Sequence, residues 1–454
     1  MVVEFSLIVT LATIIVLMAC LNGLVAYLTL FERKISAYVQ DRVGPNRAFF
    51  GIVQPIADGI KFLLKEDVIP AHVDKFFYLL APAIALGTAF LAIAVVPFGS
   101  TLPPPALVDH RPGSTTFGKM VFPSVTLELE EVLQADRKFS QDSKTPSYEE
   151  KLKKYNATFQ CVVSPGVDIG FVFVFAVGSL AVYGIILGGW SSNNKYSLLG
   201  SLRSSAQLIS YEIPMGLSVL GVAVAAGSLN MERIIHHQVE NGWNFIFQPL
   251  AMILFATAIF AECNRLPFDL PEAEQELVGG YHTEYSAMKF ALFFLGEYTH
   301  MITTSFLIVT LFFGGWHLPF LTSPDQTGLF AILIKVGITC GKMLAFIFFY
   351  MMIRWTILRF RFDQLMNLAW KVMLPLSLLS FLALAGLTHF RPLGNLTPWV
   401  MPPISLGLLL GAGLLGLILP KSPTRSHVPN LGHGSGGIGP VCQTNQARLE
   451  KVEF

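Results

Sequence analysis

Charged side chains and cysteines are scarce in this sequence of 454 residues. Charged residues make up 13% of the chain, whereas hydrophobic residues make up 53%, and the mean hydropathy is +0.58. This composition excludes an ordinary soluble globular domain and predicts an integral membrane protein. The formal net charge of +1 gives no bias toward an anionic partner, and we expect no nucleic acid among its ligands.

The five cysteines form no metal-binding pattern. They are Cys20, Cys161, Cys263, Cys340 and Cys442. None is part of a C-x-x-C pair or a Cys/His pair, which argues against a zinc site or an iron–sulfur cluster built from this chain alone. The sequence also lacks a P-loop. We therefore expect the chain to bind no metal, no nucleotide and no cofactor of its own.

Nine apolar runs are long enough to cross a bilayer, which takes about 20 helical residues. We therefore predict an all-α integral membrane protein with about nine transmembrane helices, the eighth run being the weakest. The runs are Phe5–Leu30, Phe77–Val96, Ile169–Trp190, Leu208–Leu229, Phe245–Ala261, Ala287–Phe313, Gly328–Ile353, Val372–Leu387 and Val400–Leu419.

Lysine and arginine are concentrated in the loops that follow the odd-numbered runs. The first of these loops opens with Arg33 and Lys34, and the last opens with Arg354, whereas the short loops after even-numbered runs carry only Arg233 and Arg391. By the positive-inside rule, we place the odd-numbered loops in the cytoplasm of a multi-pass protein of the bacterial inner membrane. The first run has no basic leader and no small-residue cleavage site, so we expect a retained span.

The loop after the fifth run, here called the acidic loop (residues 262–286), is rich in carboxylates. Asp269 followed by Glu272 predicts a helix N-cap with its box partner, so a short helix begins inside the loop. Glu276 lies one turn after Glu272, and the repulsion between such carboxylates favours a proton on at least one of them near neutral pH. A solvated loop surface is the alternative interpretation. We predict that the one arginine, Arg265, pairs with carboxylates of its own loop, which are Glu262, Asp269, Glu272, Glu274, Glu276 and Glu284.

The other cytoplasmic loops carry further candidate charges. In the first loop, Ile52–Leu64 repeats apolar positions at helical spacing with Asp58 on one flank, which predicts an amphipathic helix at the interface or a plain surface anchor. The third loop leads to Glu212, just inside an apolar run, where a carboxylate needs a partner or a proton. The seventh loop carries R-F-R-F-D-Q-L-M at Arg359–Met366, which taken alone is a positive-inside anchor.

The acidic loop resembles the H-subunit family of NADH-quinone oxidoreductases, the quinone-channel membrane subunit of respiratory complex I. The resemblance rests on N-R-x-P-F-D-L at Asn264–Leu270, E-A-E-x-E-L-V at Glu272–Val278 and E-Y-S at Glu284–Ser286. All four cytoplasmic loops match the family, and the match covers most of Phe5–Leu387. It implies a helical membrane subunit at the junction between a hydrophilic arm and a proton-pumping arm.

The same resemblance implies a substrate and partners. Quinone would enter through a gap among the first, sixth and seventh spans and the amphipathic helix, and would move up a largely apolar tunnel toward an iron–sulfur cluster in a partner. The chain would guide quinone and couple its reduction to proton translocation, while iron–sulfur clusters and FMN belong to partner subunits. The expected partners are the quinone-site subunits of the hydrophilic arm, the adjacent small membrane subunits and the lipid bilayer.

Two sets of candidate site residues follow, with no catalytic residue and no metal ligand among them. For the quinone channel they are Arg33, Arg42, Asp58, Arg265, Asp269, Arg361 and Asp363. For proton coupling they are Glu212, Glu262, Glu272, Glu274, Glu276, Glu284, Glu297 and Lys335, several of which stand at or within apolar runs.

Some features depart from the family pattern. Leu358 stands where the family usually has a proline before the seventh-loop block. A long segment between the second and third spans is expected outside, with helices at Leu127–Phe139 and Tyr148–Tyr155. The predicted domains are residues 1–97, with two spans and the amphipathic helix; 98–167, the external insertion; 168–390, the transmembrane core; 391–420, an extra helix; and 421–454, a disordered tail.

Two other functions share parts of this pattern. The equivalent subunit of a membrane-bound hydrogenase-type complex would keep the architecture and change the reaction. A self-sufficient cation/proton antiporter would use the intramembrane residues Glu212, Glu297, Lys335 and Lys342. Such transporters are commonly built from internal repeats, and we find none in this sequence.

Overall fold

The computed structural model describes most of the chain up to residue 418. The described residues are 7–47, 49–99, 105, 107–111, 120–121, 129–143, 145–157, 164, 167–270, 278–319, 321–322, 328–390 and 397–418. Within these ranges helices dominate, as predicted, and the two short strands form one antiparallel pair.

The N-terminal part contains two long apolar helices separated by a short amphipathic one. They are Leu7–Val39 (α1), Gln54–Leu64 (α2) and Lys75–Ile93 (α3). Pro55 lies in the first turn of α2, where a missing amide hydrogen breaks no intrahelical bond. The side chains of Ile56, Ile60 and Leu63 on α2 are more than half exposed. The predicted amphipathic helix is therefore present, and its place at the membrane interface stays a prediction.

The predicted insertion contains the strand pair and two charged helices. The elements are Leu107–Val108 (β1), Met120–Val121 (β2), Leu129–Ser143 (α4) and Tyr148–Ala157 (α5). Leu107, Val132 and Tyr148 form a small hydrophobic cluster among them. Both helices predicted from the sequence are thus present, with α4 running four residues beyond its predicted end.

Five helices follow the insertion. They are Gly170–Ser191 (α6), Lys195–Ala226 (α7), Met231–Asn241 (α8), Asn244–Phe247 (α9) and Pro249–Glu262 (α10). The side chain of Asn194 caps α7 by accepting from the Tyr196 amide, and that of Asn230 caps α8 in the same way. Gly227 ends α7 with a φ of +64°, a conformation that glycine adopts without strain.

The remaining helices complete the bundle. They are Ala287–Phe312 (α11), Leu329–Thr356 (α12), Phe362–Asn367 (α13), Leu374–Phe390 (α14) and Thr397–Ile418 (α15), and the π-helical segment Leu368–Met373 joins α13 to α14. Gly411, Gly413 and Gly416 have the G-x-G-x-x-G spacing of a dinucleotide loop. They lie within α15, however, whereas that loop requires a preceding strand and a helix that begins at the glycines.

Seven segments of the described chain are long and apolar enough to cross a membrane. They are α1, α3, α6, α7, α11, α12 and the continuous stretch Phe362–His389. The predicted fifth span corresponds to α9 and α10, and α10 alone has only 14 residues. The predicted ninth span corresponds to α15, whose apolar described part is also short. The protein is therefore a multi-pass membrane protein, and the count of nine spans stays a prediction.

Small residues let the central helices approach closely. A Cβ added to Gly184 of α6 would lie 3.1 Å from the carbonyl oxygen of Ala81 in α3. One added to Gly189 would lie 2.2 Å from Oγ of Ser201 in α7. Such contacts replace the hydrophobic effect as the source of helix association within a bilayer.

The four loops that we place in the cytoplasm contact one another at one end of the bundle. Hydrogen bonds run from Val68 N to Ser286 Oγ (3.1 Å), from Ser197 Oγ to Tyr281 O (2.9 Å) and from Phe360 N to Pro267 O (3.2 Å). These bonds link the first, third and seventh loops to the acidic loop. The predicted helix at the start of that loop lies outside the described residues.

The insertion is anchored to α8. Tyr155 Oη donates to Glu232 Oε2 at 3.0 Å, and an Arg233 guanidinium nitrogen donates to the carbonyl oxygen of Pro105 at 2.9 Å. Because α8 follows the fourth predicted span and the insertion follows the second, both belong to the same side of the membrane. The domain bounds predicted beyond residue 418 lie outside the described part of the chain.

A cysteine at Ser140 in α4 tests which side of the membrane the insertion occupies. We expect Ser140→Cys to react with a membrane-impermeant thiol reagent in intact cells, because the insertion follows an even-numbered span. Lys65→Cys is the matched control, since this exposed position just after α2 is predicted to be cytoplasmic and to react only after lysis. Labelling of Ser140→Cys only after lysis would overturn the topology.

Candidate functional site

A pocket of about 590 Å³ lies among α1, α2, α11 and α12. Part of its wall is apolar and includes Val25, Phe290 and Phe294. The other part is charged and consists of Glu32, Arg33, Asp58, Lys61 and Arg354. Its volume is in the range that binds drug-sized or cofactor-sized molecules.

Glu32 is the centre of the charged part. This residue of α1 is only 8% exposed, and its side chain pairs with Arg354 of α12. It also lies 3.5 Å from Arg265 of the acidic loop and accepts a hydrogen bond from the Tyr298 hydroxyl of α11. A buried carboxylate with this many charged and polar partners remains an anion that fixes the positions of all of them.

Arg265 contacts two of these helices, α1 and α11. Its guanidinium carbon is 4.4 Å from the centre of the Tyr298 ring, a cation–π contact, in addition to its ion pair with Glu32. The predicted partners Glu272, Glu274 and Glu276 lie outside the described residues, so their pairing with Arg265 stays a prediction. Glu32 was not predicted from the sequence, although a glutamate at the end of an apolar run, directly before Arg33, is a signal of this kind.

A second ion pair joins α2 to α1. Arg33 lies 2.8 Å from Asp58, which also accepts from Gln54 at 3.1 Å. Lys34 Nζ donates to the carbonyl oxygen of Phe50 at 2.6 Å, just before α2 begins. The structure thus brings two predicted quinone-channel residues, Arg33 and Asp58, into the pocket wall.

The other predicted quinone-channel residues lie in the loops. Arg42 follows α1 and is exposed, and Asp269 is half-buried in the acidic loop. Arg361 and Asp363 are exposed at the start of α13, where the Arg361 amide donates to Gln364 at 3.1 Å. None of these four side chains lines the pocket.

A second cavity, here called the acidic cavity, contains three of the predicted proton-coupling residues. Its lining includes Glu212 of α7, Glu262 of α10 and Glu297 of α11. Its volume is about 60 Å³. Because one water needs about 10–15 Å³ of such space, the acidic cavity has room for a few water molecules.

One hydrogen bond and one close histidine–carboxylate pair involve these carboxylates. Tyr281 Oη donates to Glu297 Oε1 at 2.9 Å, and His300 Nε2 lies 3.0 Å from Glu262 Oε1. Burial raises the pKa of Cys263, which also lines the cavity, so this thiol stays protonated at neutral pH. His300 was not predicted from the sequence, although its position three residues after Glu297 places both on one helical face.

Helix α11 separates the pocket from the acidic cavity. Phe290, Phe294 and Tyr298 face the pocket at a spacing of four residues. Glu297 and His300 face the acidic cavity from a different side of the same helix. One element therefore carries residues of both sites.

The last two described proton-coupling candidates lie elsewhere. Glu284 accepts from Asn194 Nδ2 at 2.6 Å, at the N-terminus of α7. Lys335 is fully buried in α12, with its Nζ 4.3 Å from the centre of the Trp316 ring. Beside it, burial and the Lys335 charge lower the pKa of His236 to about 4, so this imidazole is neutral at pH 7. Neither Glu284 nor Lys335 lines the acidic cavity.

The described residues contain no cluster of three or more histidine, cysteine, aspartate and glutamate side chains placed to hold a metal ion. Carboxylates line both sites, and arginine, tyrosine or histidine side chains lie beside them. Such groups are suited to binding polar ligands and to moving protons.

Comparison with known proteins gives extensive matches. A family model described as NADH dehydrogenase matches residues 12–127 and 153–385. The NADH-quinone oxidoreductase H subunit of Leptospira biflexa is 46% identical over 354 residues, which cover 77% of this chain and 86% of that protein. The corresponding H 2 subunit of Koribacter versatilis is 41% identical over 391 residues, which cover 84% and 98%. The family match omits residues 128–152, which contain α4 and the first half of α5.

We expect Arg265→Ala to destabilise the protein more than Arg33→Ala. Removing one member of a buried ion pair costs about 3–5 kcal/mol, and somewhat less here because Arg354 still faces Glu32. The Arg33 side chain is 51% exposed, and pairs of that kind contribute about 0–1 kcal/mol. Thermal unfolding in detergent measures both changes. An equal decrease in Tm in the two variants would contradict the inference that the buried pairs of Glu32 stabilise the protein more than the exposed Arg33 pair.

Proposed function

Because the chain belongs to the H-subunit family of NADH-quinone oxidoreductases, we propose that it forms the quinone access channel and couples quinone reduction to proton translocation. Membership in this family makes it a membrane subunit of an oxidoreductase complex, with the other subunits of that complex as its partners. The observation that carries the proposal is the pocket among α1, α2, α11 and α12.

The pocket has the chemistry that an isoprenoid quinone requires. Its apolar wall, with Val25, Phe290 and Phe294, suits the isoprenoid tail. Its charged wall around Glu32 and Arg354 suits the polar headgroup. The four helices that form it are the first, sixth and seventh predicted spans and the amphipathic helix, which are the elements expected from the family resemblance.

Beyond the pocket, the quinone headgroup passes toward the loops. Arg42, Asp269, Arg361 and Asp363 lie in these loops, and in this proposal they line a tunnel toward the quinone-site subunits of the hydrophilic arm. Those subunits carry the iron–sulfur clusters and FMN, and this chain supplies no redox centre. Its own residues hold and orient the substrate and exclude water from its path.

The acidic cavity is the proton-linked part of the mechanism. Quinone reduction takes up protons together with electrons, so a change of charge in the pocket shifts the protonation of nearby carboxylates. Glu212, Glu262 and Glu297 line one cavity large enough for water, and α11 adjoins both sites. Proton transfer within this cavity therefore links quinone chemistry to the membrane interior.

We propose a location in the bacterial inner membrane, with the bilayer around the apolar helices. The concentration of lysine and arginine in the loops after the odd-numbered spans supports a cytoplasmic position for those loops. A hydrogenase-type complex with an equivalent subunit is the nearest alternative. Identification of the subunits that co-purify from native membranes separates the two complexes.

Narrowing the pocket tests its use by quinone. We expect Ala26→Phe, which places a ring in the pocket wall of α1, to raise the KM for a long-tailed quinone on the order of tenfold, or about 1.4 kcal/mol. Reduction of artificial acceptors by the hydrophilic arm is expected to stay unchanged. The control is Ala12→Phe, an exposed position on the same helix. Equal KM values in both variants would exclude this pocket as the route.

Glu297→Gln tests the acidic cavity, since glutamine keeps the size of the side chain but cannot titrate. The variant is expected to assemble normally and to lose several-fold in proton translocation and in the quinone reduction coupled to it. Glu130→Gln, an exposed position in α4, controls for the loss of one carboxylate. Wild-type pumping at the wild-type rate would leave Glu297 with a structural role only.

A further inference from the structure

We propose that His300 is a proton-holding residue of the acidic cavity, which exchanges a proton with Glu262 during turnover. The inference rests on the proposed function of the cavity and adds a basic group to a path otherwise made of carboxylates. It is carried by the geometry of the His300–Glu262 pair.

The two side chains face each other across a helix interface. His300 Nε2 of α11 lies 3.0 Å from Glu262 Oε1 at the end of α10, and their side chains are only 15% and 17% exposed. Gly178 of α6 borders the pair, since a Cβ there would be in van der Waals contact with it, 3.4 Å from Glu262 Oε1 and 3.9 Å from His300 Cε1. The distance permits direct proton transfer without an intervening water.

Several other titratable side chains line the same cavity as His300. The titratable residues that line it with His300 are Glu212 of α7, Glu262 of α10, Glu297 of α11, and Cys263 and Tyr281 of the acidic loop. The lining residues from α3 and α6 are uncharged. Three carboxylates thus share this cavity with the one imidazole.

The exchange conserves charge within the pair. When the Nε2–H bond of the imidazolium breaks, an O–H bond forms at Glu262 Oε1, and the ion pair becomes a neutral pair. The number of protons is unchanged, but the field at Glu212 and Glu297 is altered. One of these two carboxylates can then accept a proton, and the His300–Glu262 pair stays neutral in that step.

His300→Gln separates proton holding from hydrogen bonding. The glutamine amide can donate to Glu262 from nearly the position of Nε2, but it cannot take up a proton. We expect this variant to assemble and to reduce artificial acceptors normally. The number of protons that it translocates per quinone reduced is expected to fall several-fold.

His300→Ala, which removes both roles, is the comparison variant. If His300→Gln keeps wild-type coupling while His300→Ala loses activity, His300 provides only a polar contact to Glu262 and the proposal is wrong. If Glu297→Gln loses coupling while His300→Gln does not, the acidic cavity keeps its function and this inference alone fails. Wild-type coupling in both would also contradict the proposed proton-linked role of the acidic cavity.

If His300→Gln assembles poorly, Glu262→Gln provides a second test. This variant leaves His300 in place and removes the group that accepts its proton. The number of protons translocated per quinone reduced is expected to fall in this variant too. Wild-type coupling in Glu262→Gln would overturn the exchange between the two side chains.

Discussion

The pairing of buried charge is the constraint on which the site depends. A carboxylate within an apolar bundle has to be paired, hydrated or protonated, and Glu32 is paired by residues from three other parts of the chain. These contacts fix α1, α11, α12 and the acidic loop relative to one another. The pair between Arg33 and Asp58 then attaches α2 at the edge. The pocket is the space that these four helices leave between them.

Much of this arrangement was predictable, because a bilayer imposes a strong pattern on sequence. Apolar runs and the amphipathic period located the helices, and the expense of a carboxylate in an apolar run pointed to Glu212, Glu262 and Glu297. The partners of Glu32 were not predictable, since Arg265 and Arg354 are more than 200 residues away in sequence and no local pattern encodes that pairing. Lys335 was grouped with the glutamates by its chemistry alone, and the fold places it beside Trp316.

The two sites differ in how their charge is compensated. Around Glu32, arginines lie beside the carboxylate, and arginine stays protonated at any physiological pH. The protonation of that network is therefore constant, which suits the recognition of a ligand. In the acidic cavity the groups beside the carboxylates are a phenol and an imidazole. Neither of these groups carries a permanent charge, which suits the proton-linked role proposed for the cavity.

Helix α11 forms the wall between the two sites, and this position has a mechanical consequence. Its aromatic side chains bound the pocket, and its glutamate and histidine bound the acidic cavity. A small rotation of this one helix, by a few degrees about its axis, would move both sets of side chains together. Any displacement of this helix would thus change the walls of both sites at once. Coupling by such a displacement would need no chain of intermediate residues, because α11 itself belongs to both walls.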